Sequence, residues 1–126
     1  MARIMVAEDS DEIRLLLKDL LKLGNHELVA EAADGNDAVK KFNTIKPDVL
    51  LLDIAMPKKD GLDTLKEIIA ANPNAKIVMI TVTDNLKTIS QCTKEGAIAY
   101  LVKPFDSDQV LTSIAMALDE HTEITN

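Results

Sequence analysis

The sequence predicts an α/β fold in which helices cover both faces of a parallel sheet. Three observations carry that expectation. Five short apolar runs are spread along the chain, a helical pattern follows each, and the first, third and fourth runs show no polar alternation. Strands buried on both faces read as unbroken apolar stretches, and strand–helix alternation implies right-handed crossovers between parallel neighbours.

The first strand is Ile4-Met5-Val6-Ala7, running into the acidic stretch Glu8-Asp9-Ser10-Asp11-Glu12. Ile13, Leu16, Leu17, Leu20 and Leu21 then recur at i, i+3, i+4, i+7 and i+8, one apolar helix stripe. Ser10 or Asp11 is the expected cap, and Gly24 the expected left-handed stop. Leu28-Val29-Ala30 is the second strand. The second helix carries Ala38, Val39, Phe42 and Ile45 and stops before Pro47, because the residue preceding a proline is pushed out of the helical region.

Val49-Leu50-Leu51-Leu52 is the third strand and ends on Asp53. A turn at Asp60-Gly61 leads into a third helix bearing Leu62, Leu65, Ile68 and Ile69, which closes near Asn72-Pro73. Ile77-Val78-Met79-Ile80 is the fourth strand. The fourth helix is weaker, with Leu86, Ile89 and Cys92 ahead of Gly96. Ile98 to Val102 is the fifth strand. Val110, Leu111, Ile114, Ala117 and Leu118 mark the last helix, with Asp106 as N-cap and Gln109 three residues on. The tail from Glu120 is polar and is expected to fray.

With 126 residues the chain reads as a single domain, 1–126. Aromatic residues are limited to Phe42, Tyr100 and Phe105, so the core must be aliphatic. A net charge of −7 argues against non-specific nucleic-acid binding, which needs Lys and Arg on phosphates. No apolar stretch approaches the roughly 20 residues of a membrane span, and only four apolar residues precede Glu8. A single cysteine, Cys92, forms no internal disulfide and suits a reducing cytosol as a buried helix residue. The expectation is a cytoplasmic protein that avoids membranes and nucleic acid.

Five βα units in the flavodoxin-like order 2-1-3-4-5 put strands 1 and 3 side by side, where the winding reverses. Ligands bind outside the carboxyl ends of the strands at such a switch point. Glu8, Asp9 and Asp53 meet there. Carboxylates about 4 Å apart repel by roughly 4 kcal/mol per pair at an effective dielectric near 20. A hard divalent cation with oxygen ligands relieves that repulsion.

Acidic Glu8-Asp9 after strand 1, Asp53 in an Asp-x-x-Met-Pro-x-x-Asp-Gly stretch, Thr81 ending strand 4 and Lys103-Pro104 ending strand 5 together form a pattern. From Arg3 to about Leu118 it resembles the response-regulator receiver domains. The resemblance implies that Asp53 accepts a phosphoryl group from the phosphohistidine of a histidine kinase. Asp9, Asp53 and the Ala55 carbonyl would hold Mg²⁺, with Glu8 assisting through water. Thr81 and Lys103 would contact the phosphoryl oxygens, and the Lys103-Pro104 bond would be cis. Tyr100 would be an aromatic switch that turns inward as Thr81 moves, altering the face of helix 4, strand 5 and helix 5 around Ile89, Tyr100 and Val102. His26 and His121 look like loop and tail residues rather than ligands.

Two departures from the family bear on kinetics. Val82 is bulkier than the usual Ala or Gly and is expected to restrict access to the acceptor. Ala55 and Thr83 carry no charge that could orient a hydrolytic water, so autodephosphorylation is expected not to be unusually fast. The chain ends soon after helix 5, so the expectation is a stand-alone monomer that signals by contact and catalyses only its own phosphorylation and dephosphorylation. Its partners would be a chemotaxis-type histidine kinase and a motor or adaptor protein. The alternative is a phosphorelay intermediate serving a histidine phosphotransfer protein. A flavin protein would want a Ser/Thr/Gly-rich first loop, and a haloacid-dehalogenase-type phosphatase a second Asp where Ala55 stands.

Overall fold

The computed structural model describes residues 1–82 and 85–118. Five strands, β1 (Arg3–Ala7), β2 (Glu27–Ala32), β3 (Val49–Asp53), β4 (Ile77–Thr81) and β5 (Ala99–Val102), form one parallel sheet in the order β2-β1-β3-β4-β5. Between and after them run α1 (Asp11–Leu23), α2 (Gly35–Ile45), α3 (Gly61–Ala71), α4 (Leu86–Lys94) and α5 (Ser107–Leu118). The expected strand order is the one observed.

The pleat divides the core into two layers. Met5, Ala7, Leu50, Leu52, Ile77 and Met79 face one side, packed with Phe42 of α2, Leu65 and Ile68 of α3, and Cys92 of α4. Ile4, Val6, Val49, Leu51, Val78 and Ile80 face the other, against Leu17 and Leu21 of α1 and Val110 and Ile114 of α5. β3 and β4 are buried along their whole length, which is why they read as unbroken apolar runs. Each large aliphatic side chain fully buried here contributes roughly 1.5–3 kcal/mol. β2 lies at an edge, and its register slips between Ile4 and Met5, so Val29 has no partner on β1.

Caps follow the local chemistry. Ser10 caps α1, its hydroxyl accepting from the Ile13 N–H at 3.2 Å. Asp60 caps α3 through the Asp63 N–H, so Asp60-Gly61 opens a helix as well as making a turn. At α5, Asp106 and Gln109 close a reciprocal box, with bonds of 2.8 and 2.9 Å.

One expectation is corrected. Gly24 follows α1 but keeps a φ of −89°, and Asn25 takes the left-handed turn at φ 60°. Asparagine tolerates that region. What Gly24 supplies is space, since a Cβ there would lie 2.3 Å from Leu111 Cδ2. The fifth strand also starts one residue late, at Ala99. Thr83, His121 and the tail from Glu120 lie outside the described residues.

Candidate acidic pocket

The register of β1 on β3 pairs Ala7 with Leu52, so the next residues, Glu8 and Asp53, leave the sheet edge together. Carboxylate oxygens of Glu8, Asp9 and Asp53 all lie within 4.8 Å of one another. Glu8 is fully buried and Asp53 is 3% exposed, while Asp9 faces solvent. Lys103, brought over by β5, sets its Nζ 2.7 Å from Glu8 Oε1 and 3.6 Å from Asp53 Oδ2. The Lys103 N–H donates to the Thr81 carbonyl at 2.7 Å, and the Lys103-Pro104 bond is cis. Thr81, buried at the end of β4, stands one residue beyond Ile80, the β-partner of Asp53.

The β3–α3 loop is drawn in tightly. The Ala55 N–H donates to Asp53 Oδ1 at 3.3 Å, and the Gly61 N–H to the Ile54 carbonyl at 2.6 Å. A Cβ on Gly61 would meet the Asp53 carbonyl at 2.3 Å and Ile54 Cα at 2.4 Å, so only glycine lets α3 start there.

Three carboxylates face one ammonium, and the charges show it. Burial, and then the Glu8 charge, push the Asp53 carboxyl up to about 6. Burial also pushes Glu8 up, but the Lys103 ammonium and the Ser10 N–H outweigh it, leaving Glu8 below its ordinary value. Asp9 is raised by partial desolvation and by its neighbour Glu8. Burial would lower Lys103, yet Glu8 and Asp53 hold it above the usual lysine range. Glu8 Oε1 is buried, with the Lys103 ammonium 2.7 Å away. An all-oxygen donor set with surplus negative charge fits a hard divalent cation such as Mg²⁺.

Other expected residues sit apart from this cluster. Tyr100 is 47% exposed on β5. It lines a groove of about 570 Å³ with Thr93, Val102, Gln109 and Met116, between α4, β5 and α5. Val82 is exposed just past Thr81. Cys92 is buried, and its thiol is raised by desolvation. His26 lies in the loop between α1 and β2, as expected, and its Nδ1 accepts from the Ala2 N–H at 3.1 Å.

Arg14 escaped the reading of the sequence. It lies three and seven residues before Leu17 and Leu21, on the core-facing side of α1, with a side chain only 16% exposed. A charge on a buried helix face was the available signal, and counting apolar positions alone passes over it. Its guanidinium donates to the Glu8 carbonyl at 2.6 Å and to Glu31 at 3.2 Å, and it also pairs with Asp11.

Residues 4–115 match the family described as the response regulator receiver domain. The chemotaxis protein CheY of Listeria monocytogenes is 38% identical over 93% of this chain and 98% of its own length. The transcriptional regulatory protein PdtaR of Mycobacterium tuberculosis is 37% identical over 98% of this chain and 60% of its own. Among solved structures, the CheX–CheY–BeF3–Mg²⁺ complex from Borrelia burgdorferi aligns with a TM-score of 0.87 at 30% identity, covering 89% of this chain and 85% of that one. Among the described residues no helix is long and apolar enough to cross a membrane. With the match spanning nearly its whole length, the chain belongs to the response regulator receiver domains.

Proposed function

We propose that Asp53 accepts a phosphoryl group from a histidine kinase and that the labelled domain signals by protein contact in the control of a motility motor. The observation that carries this is the buried Asp53 carboxylate at a strand end, with Lys103 and two further acids beside it. Asp53 would attack phosphorus as the bond to the kinase's histidine nitrogen breaks, leaving the electron pair on the imidazole. The product is a mixed anhydride on the aspartyl oxygen. Lys103, already 3.6 Å from Asp53, would neutralise a phosphoryl oxygen, and Thr81 would hydrogen-bond another.

Asp9, Asp53 and the Ala55 carbonyl would hold Mg²⁺, with Glu8 assisting. When bound, that ion supplies positive charge for the phosphoryl oxygens. Val82, exposed just past Thr81 at the end of β4, would slow small donors, so Val82→Ala is expected to speed phosphorylation by acetyl phosphate. An unaltered rate contradicts this role.

The CheY relatives support the motility assignment, and the apolar groove beside Tyr100 supports the output face. Tyr100 would turn inward when Thr81 moves to the new phosphoryl oxygens, reshaping the surface around Ile89 and Val102. The test is transfer from a phosphorylated chemotaxis-type kinase, followed by capture of partners with and without beryllofluoride. Label on wild type, none on Asp53→Ala, and activated capture of a motor or adaptor protein are expected. Label retained by Asp53→Ala moves the acceptor elsewhere, and capture of a histidine phosphotransfer protein replaces the motility role with a phosphorelay.

A further inference from the structure

We infer that Arg14 is a positioning residue for the acidic pocket, fixing the Glu8–Asp9 peptide so that Asp9 is presented to Asp53, and that divalent-cation affinity depends on its planar fork. The inference rests on the proposed metal site, and it concerns a side chain outside the ligand set.

Three elements meet at the Arg14 guanidinium. Nη1 donates to the main-chain oxygen of Glu8 at the end of β1, at 2.6 Å. Nε donates to Glu31 Oε1 on β2 at 3.2 Å, and Nη2 pairs with Asp11 in the first turn of α1. Two acids thus balance and aim the guanidinium, which makes burial of its charge tolerable. The Glu8 N–H donates to the Ala32 carbonyl at 2.9 Å, and one oxygen of its carboxylate accepts from the Ser10 N–H at 2.9 Å. Glu8 is therefore held at its amide, its carboxylate and, through Arg14, its carbonyl.

That carbonyl belongs to the peptide leading into Asp9. A peptide unit is planar, so holding its oxygen fixes the direction in which the Asp9 backbone leaves the strand. Asp9 itself faces solvent and is not packed in place. Without the arginine, the β1–α1 loop keeps the Glu8 contacts but gains freedom about the peptide that carries Asp9. Lysine cannot substitute, because its ammonium lacks the planar five-donor fork that serves all three acceptors here.

The test is Mn²⁺ binding by electron paramagnetic resonance, on the whole chain and without a phosphoryl donor, for wild type, Arg14→Lys, Glu31→Gln and Asp53→Asn. Circular dichroism at the same temperature verifies that each variant is folded. Arg14→Lys keeps the charge and loses the fork, and is expected to weaken Mn²⁺ roughly tenfold, the scale of a residue orienting metal ligands. Glu31→Gln keeps the arginine, loosens one arm, and is expected to weaken binding by roughly threefold, the scale of one partly exposed ion pair. An arginine that merely stabilises the fold would lower the melting temperature and leave the affinity of folded protein unchanged. Wild-type affinity in folded Arg14→Lys overturns the inference, and wild-type affinity in Glu31→Gln does so if Arg14→Lys fails to fold. Asp53→Asn separates the two levels: if it weakens Mn²⁺ while the Arg14 and Glu31 variants do not, the metal site stands and the positioning role falls. Wild type that takes no Mn²⁺, or Asp53→Asn that binds as wild type does, removes the metal reading and this one with it.

Discussion

Asp53 is held in the folded chain at a cost. Burial and the Glu8 charge raise its carboxyl to about 6, above the ordinary 3.8. The native state therefore holds a proton that the unfolded chain releases between these values. The contribution of Asp53 to stability is greatest below the lower value and is lost as pH rises through the upper one. At pH 7.5 the ionised carboxylate costs up to roughly 3 kcal/mol, each pH unit between those two values being worth about 1.36 kcal/mol. Asp53→Asn is expected to raise the melting temperature at pH 7.5 in metal-free buffer, and the gain is expected to vanish near pH 4. Mg²⁺ should narrow the gap by stabilising wild type. A variant no more stable than wild type at pH 7.5 contradicts the strained-carboxylate account.

At the scale of elements, glycines decide how closely segments approach. Gly61 abuts backbone, with the Asp53 carbonyl 2.3 Å from where a Cβ would sit, and backbone there cannot yield without moving the acceptor. Gly24 abuts Leu111 Cδ2, the far end of a flexible side chain. Gly61→Ala is expected to cost at least about 2 kcal/mol, and Gly24→Ala less than about 1 kcal/mol, in urea unfolding. Equal costs would contradict this distinction. The contrast also marks what periodicity can deliver. Short apolar runs mark all five strands, and the switch-point rule places Glu8, Asp9 and Asp53 together from the sequence alone. The same reasoning misassigned the turn after α1, because neighbouring Gly24 and Asn25 both tolerate positive φ. Leu111, arriving from α5, as it stands leaves no room for a side chain at Gly24. Arg14 was missed for a related reason, since its partners on β1 and β2 are adjacent only in the folded sheet.

Across the whole molecule, the acidic cluster and Lys103 lie at the carboxyl ends of the strands, and a histidine contact lies at the opposite end. There His26 accepts from the Ala2 N–H, and burial, followed by the nearby amino terminus, lowers its pKa from 6.5. The unfolded chain takes up a proton near pH 6.5 before the native state does, so this contribution falls as pH drops through about 6.5 and below. His26→Asn, whose carbonyl can still accept, is expected to remove that part of the pH dependence. The readout is the difference in melting temperature between the two proteins from pH 7.5 to 5, in which the opposite trend of Asp53 cancels. A difference independent of pH contradicts it.

The central claim is that acids from β1 and β3 converge on a metal so that Asp53 can carry a phosphoryl group. Intact-mass analysis after incubation with acetyl phosphate tests it most directly, with Mg²⁺ present or chelated. The account predicts an increment of one PO3H group on wild type, dependent on Mg²⁺ and absent from Asp53→Asn. An increment that persists in that variant, ignores chelation, or never forms on wild type contradicts it.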